Sequence, residues 1–171
     1  NPLTIGDMSL FFKIQVSFFQ SVTTRTAGFA SVPQENLTNA SAAVSIILML
    51  IGGSPVGTAG GMKTATIAVL ICSAFATIRN KNCATLFGRR VSESSVKKAV
   101  AVAVTFLIIC SASAILLMAT SNISALDAIY ETVSATATVG LSRNLTATLN
   151  TFGKIIIIVT MYFGRVGPIS L

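Results

Sequence analysis

Two stretches of the chain share one unusual residue pattern. Residues 19–29 read FQSVTTRTAGF and residues 131–141 read ETVSATATVGL. Both end in T-x-G followed by a large apolar residue. The chain contains no His, which excludes His-based catalytic triads and His-ligated zinc sites. What such a stretch offers is its backbone. Glycine opens backbone angles closed to other residues. Successive carbonyl oxygens can then turn toward one axis and replace the hydration shell of a cation. The candidate cation-binding residues are therefore Thr26, Ala27 and Gly28 in the first stretch, and Thr138, Val139 and Gly140 in the second.

The two stretches belong to a longer repeat. An offset of 112 residues places Gly28 on Gly140, Thr26 on Thr138 and Ala27 on Val139. The same offset places Phe18 on Tyr130, Phe29 on Leu141 and Gly52 on Gly164. Each unit begins with a short apolar segment, residues 11–22 or 125–135, too short to cross a bilayer at 1.5 Å per residue. These segments read as re-entrant pore helices, each followed by a filter loop. A pore helix aiming its partly negative C-terminal end at a cavity favours a cation there. A long helix then returns to the cytoplasmic side, with a break expected at the same depth in both units, at Gly52 and at Gly164.

Composition points to a membrane. Hydrophobic residues make up 53 % of the 171 residues and charged residues 10 %, too little charge to cover a water-facing surface. Residues 99–119, AVAVAVTFLIICSASAILLMA, carry no charge and match the roughly 20 residues needed to span. The net charge of +7 is concentrated rather than spread. Arg79, Lys81, Arg89, Arg90, Lys97 and Lys98 lie between two apolar runs, with Glu93 the sole acid among them. That pattern marks a cytoplasmic loop, not a nucleic-acid surface. Cys72, Cys83 and Cys110 show no metal spacing, and the two in the apolar runs, Cys72 and Cys110, read as small packing residues.

The resulting expectation is an all-α membrane protein of tandem helix–pore-helix–filter-loop–helix repeats. Residues 1–34 hold the first pore helix and filter loop, and residues 35–78 a broken transmembrane helix with a glycine-rich loop at 52–61. Residues 79–98 form the basic cytoplasmic loop and residues 99–120 a transmembrane helix. Residues 121–147 hold the second pore helix and filter loop, and residues 148–171 a truncated transmembrane helix.

Residues 52–64, GGSPVGTAGGMKT, interrupt an apolar helix. A phosphate-binding loop, G-x-x-x-x-G-K-[ST], fails to match because Met62 precedes Lys63. Two readings stay open: a plain helix break, or a flexible loop that blocks a pore below the filter. The gating reading takes in Gly52, Gly53, Ser54, Pro55, Gly57, Gly60 and Gly61. Arg165 falls at the same level as Gly53 by the repeat offset. A charge at that depth costs at least about 2.5 kcal/mol and should face the interior or a cavity. There it would oppose cation passage, hold the loop through its carbonyls, or both. Asp127 and Glu131 are i and i+4 on one helix face. They read as a cation-attracting mouth or, preferably, as the site of an ion pair between Glu131 and Arg25.

The motifs TTRTAGF, GGSPVGTAGGMKT, TATVGLS and FGRVGP resemble the Trk/Ktr/HKT superfamily of potassium transporters, closest to the bacterial Ktr-type membrane subunit. They span Thr23 to Pro168. The resemblance implies four helix–pore-helix–helix repeats around one pore, of which this chain would supply the third and fourth. Repeats one and two, and the first helix of the third, would lie elsewhere in the subunit. It implies that Gly28 and Gly140 are filter glycines, that Gly52 to Gly61 is an intramembrane gate, and that Arg165 is the arginine below the filter. It also implies a homodimer, a cytosolic nucleotide-binding regulatory subunit and location in the plasma membrane. Potassium would be the substrate, with no cofactor in this chain and no enzyme activity. In plant sodium-transporting relatives the first repeat carries serine instead of the filter glycine. A sodium or non-selective path, and a non-conducting structural half-subunit, are the alternatives.

Overall fold

The computed structural model describes residues 3–54, 60–80, 84–86 and 89–166. In chain order these form α1 (Leu10–Thr23), a 3-10 turn (Gln34–Asn36), α2 (Asn39–Leu50), α3 (Thr64–Ile78), β1 (Thr85–Leu86) and β2 (Arg89–Arg90). Then come α4 (Glu93–Thr120), α5 (Ala125–Thr136), α6 (Leu145–Thr148) and α7 (Thr151–Val166).

Polar side chains set where four of these helices begin. Thr38, Ser92 and Ser124 accept from the N–H groups of Ser41, Ser95 and Asp127 at 3.2, 3.2 and 3.1 Å. The Asn150 carboxamide accepts from the Gly153 N–H at 2.7 Å. Each bond satisfies a donor that the first helical turn leaves open.

Helix α5 is the centre of the molecule and packs against α2, α4 and α7. Every residue from Tyr130 to Thr136 is buried. One face joins Met49 of α2 and Phe106 and Cys110 of α4 to Tyr130 and Val133. A second face carries Ala135 into a cluster with Leu117, Leu145, Leu149 and Ile157. Small polar contacts add to this packing: the Ser113 and Thr160 hydroxyls, on α4 and α7, are 2.7 Å apart. Such pairs hold apolar helices together where no hydrophobic force distinguishes one neighbour from another.

The outer surface is apolar. Phe11 and Phe18 on α1, Ile108 and Ile115 on α4, and Phe152, Ile158 and Tyr162 on α7 are all exposed. Such rows need lipid or further protein against them. Helix α4, with 28 residues, is about 42 Å long at 1.5 Å per residue. It is the one helix among the described residues long and apolar enough to cross a membrane.

Three expectations need correcting. Helix α7 runs unbroken through Gly164 and Arg165, whereas α2 stops at Leu50. Gly164 lies against the backbone of Thr136, so it serves close helix packing and not a break. Helix α4 starts at Glu93, ahead of its apolar run, because Ser92 caps a polar first turn. The chain is also not wholly helical: β1 and β2 form a small antiparallel hairpin within the basic segment. Asn80, at φ 51°, turns the chain out of α3 ahead of it.

Candidate cation site

The two T-x-G stretches have the same backbone. Thr26 and Gly28 have φ of 63° and 76°, and Thr138 and Gly140 have φ of 54° and 90°. The residue between them, Ala27 or Val139, is not in the left-handed region. Backbone of alternating hand carries successive carbonyls to one side, unlike a strand, where they alternate. Left-handed backbone is strained for Thr, which is β-branched, and the two threonines accept that strain at equivalent positions.

The amides of both stretches point back to their own helices. The N–H groups of Ala27 and Gly28 both donate to the Thr23 carbonyl at 3.2 Å. Those of Thr138 and Val139 donate to the carbonyls of Ala135 and Ser134 at 3.1 and 2.9 Å. Among the described residues, no donor reaches the carbonyls of residues 26–28 or 138–140. A carbonyl left without a donor can turn to a desolvated cation.

The stretches adjoin. A Cβ on Gly28 would collide with the Val139 carbonyl oxygen. A Cβ on Gly140 would lie 4.0 Å from the Gly28 α-carbon. Glycines also crowd the preceding residues of the second stretch. Gly164 abuts the Thr136 carbonyl, a Cβ on Gly61 would lie 3.2 Å from the Ala137 α-carbon, and one on Gly60 would strike the Thr138 side chain. From Thr136 to Val139, each residue of the second stretch is approached by a glycine from elsewhere in the chain.

Gly60 and Gly61 belong to the glycine-rich loop. Its neck is closed by Gly52 N–H donating to the Met62 carbonyl at 2.8 Å, and by Thr64 N–H donating to the Gly53 carbonyl at 3.2 Å. A Cβ on Gly52 would sit 2.6 Å from the Gly60 carbonyl oxygen. The Gly60 N–H donates to Thr138 Oγ1 at 3.1 Å, tying the loop to the second stretch. Ser54 is exposed. Pro55 and Gly57 lie outside the described residues. Arg165 is exposed in the last turn of α7.

The expected Arg25–Glu131 pair does not form. Arg25 is exposed. Glu131, 5 % exposed, accepts from Ser142 Oγ at 2.8 Å and from Thr146 Oγ1. Asp127 pairs instead with Arg143 at 2.8 Å. Sequence reasoning missed Gln34, Ser142, Arg143 and Thr146, all of which lie close after one or the other T-x-G. The arginine three residues beyond Gly140 was the one signal that could have found them.

Residues 3–171 match the family model described as TrkH, cation transport protein. The chain belongs to the TrkH cation transport protein family. That family is one of cation transport proteins, not of enzymes. The chain is similar to the Ktr system potassium uptake protein B of Vibrio alginolyticus, 40 % identical over 171 residues, which is all of this chain and 38 % of that protein. It is 39 % identical over 170 residues to the Ktr system potassium uptake protein B of Bacillus subtilis (strain 168), covering 99 % of this chain and 38 % of that one. The potassium/sodium uptake protein NtpJ of Enterococcus hirae is 36 % identical over 175 residues, covering the whole chain and 39 % of that protein. The TrkH-family chain therefore spans little more than a third of the length of these curated relatives. Its fold is shared with the potassium transporter TrkH from Vibrio parahaemolyticus, at a TM-score of 0.82 and 20 % identity, over 94 % of this chain and 36 % of that one.

Proposed function

We propose that this chain is part of the pore-forming subunit of a channel-like transporter that takes up potassium across the plasma membrane. The carbonyls of Thr26, Ala27 and Gly28 and of Thr138, Val139 and Gly140 select the ion. The loop at 52–61 and Arg165 gate the path below them. The observation that carries this reading is the matched backbone of the two T-x-G stretches, left-handed at Thr and at Gly, with no donor among the described residues on their carbonyls. The helices before and after each stretch are then the pore helices and returning helices of two consecutive repeats. Half of a fourfold filter needs a second half, supplied by further repeats of the same subunit. The subunit works with a cytosolic nucleotide-binding regulatory subunit and as a homodimer; the relatives' names, which place them in a Ktr system, support a multi-component assembly, and the exposed apolar rows leave surface for a second copy.

Substituting Gly28→Ser or Gly140→Ser in the full-length protein tests the filter. A side chain at φ 76° or 90° is strained, and at Gly28 it also meets the Val139 carbonyl. Potassium-over-sodium preference in uptake should fall in both. Unchanged affinity and selectivity in both variants removes the filter assignment.

A path that admits sodium as well is the second reading. It is favoured by the similarity to NtpJ, named for potassium and sodium. Sodium uptake at potassium-like affinity by the unaltered protein would select it.

A further inference from the structure

The two T-x-G stretches are linked by a polar brace behind them, centred on Gln34 and Arg143. Gln34 is buried in the 3-10 turn that follows the first stretch. Its side-chain oxygen accepts from Gln20 Nε2 of α1 at 2.7 Å and from the Tyr130 hydroxyl of α5 at 3.0 Å. Tyr130 is fully buried. Arg143, three residues beyond Gly140, pairs with Asp127 of α5 at 2.8 Å. The same guanidinium donates to the carbonyls of Gln34, Glu35 and Leu37 at 3.3, 3.4 and 3.4 Å. One planar fork thus grips the chain after the first stretch while anchored beside the second. Five donors in fixed geometry suit that task, and a lysine ammonium does not reproduce it.

This brace stands where packing is thin. Thr23 is the one buried residue of α1. The first stretch hangs between α1 and the 34–36 turn, so whatever fixes that turn fixes the stretch. Cation discrimination depends on where carbonyls sit and how far they can move.

We infer that Arg143 and Tyr130, gripping the Gln34 turn, are positioning residues that set the separation of the two T-x-G stretches and so the preference among alkali cations. The inference rests on the filter reading above. It assigns discrimination to side chains that touch no ion.

The test uses the full-length protein in proteoliposomes, measuring half-saturation for potassium and sodium in Arg143→Ala, Arg143→Lys and Tyr130→Phe, with Gly140→Ser as reference. Losing a hydrogen bond to a charged group should cut the potassium preference of Arg143→Ala about tenfold or more. Arg143→Lys should fall between that and the unaltered protein. Tyr130→Phe, which keeps the buried ring, should shift in the same direction. If Gly140→Ser loses preference while Arg143→Ala and Tyr130→Phe keep it, the brace is not a determinant and the filter reading stands. A lower maximal rate at unchanged preference overturns it equally. If Gly140→Ser also keeps its preference, the filter reading falls and takes this inference with it. Should Arg143→Ala fail to assemble, Tyr130→Phe and Arg143→Lys decide on the same readout.

Discussion

The backbone N–H of Gly60 donates to the side-chain oxygen of Thr138 at 3.1 Å, so the glycine-rich loop is bonded directly to a residue of the second T-x-G stretch. Among the described residues, one hydrogen bond couples loop and stretch across a wide sequence separation. Any opening of the loop at this point must release the Thr138 hydroxyl.

Thr138→Val removes that acceptor while nearly keeping the side-chain shape. We expect a looser loop and a higher maximal potassium uptake rate. Uptake assays at matched membrane levels check this; a rate equal to that of the unaltered protein would mean that the bond does not hold the loop.

Gly60→Ala acts in the opposite sense to a simple loosening. Its Cβ would strike the Thr138 side chain, so the loop must move or the stretch must yield. Overpacking of this kind costs about 1–3 kcal/mol. Thermal unfolding of the purified protein in detergent should show a lower midpoint, and uptake should change in rate and in selectivity together.

Deleting part of residues 52–61 should raise the maximal uptake rate with little change in affinity, because the stretches that select the ion remain. A deletion variant that reaches the membrane and transports at the ordinary rate would favour a plain helix break.

Arg165→Ala should speed transport by removing a fixed positive charge from α7 beside Gly164, which itself abuts Thr136. Arg165→Lys keeps the charge without the planar fork. Fast transport in Ala alone identifies an electrostatic barrier, and fast transport in both identifies a hydrogen-bonded anchor. Ordinary rates in both would exclude either role.

Glu131 stabilises the chain after Gly140 through Ser142 and Thr146. Glu131→Ala strands these hydroxyls and should destabilise the protein by about 1–3 kcal/mol. Glu131→Gln keeps an acceptor and should lose less. Comparing the unfolding midpoints of the two variants is the check, and equal losses would point to the carboxylate charge itself.

What the sequence determined by itself was local or cumulative. T-x-G written twice at one offset marked a glycine free to take the left-handed region in each copy, because that freedom belongs to the residue itself; that Thr26 and Thr138 share the left hand was decided by the structure. The uncharged run at 99–119 specified α4, because length and apolarity add along one segment. The four motifs carried the family. Partners across the fold were decided only by tertiary structure. Phe18 and Tyr130 superpose under the repeat offset, yet Phe18 is 72 % exposed and Tyr130 is fully buried. Gly52 and Gly164 superpose as well, yet one closes the neck of a loop and the other lies inside an unbroken helix. Glu131 found hydroxyls in place of Arg25, and Asp127 found Arg143. In each case identical local signals met different neighbours. Which donor reaches which acceptor depends on how α5 is enclosed by α2, α4 and α7, and that enclosure is a property of the packed helices together, written in no single segment.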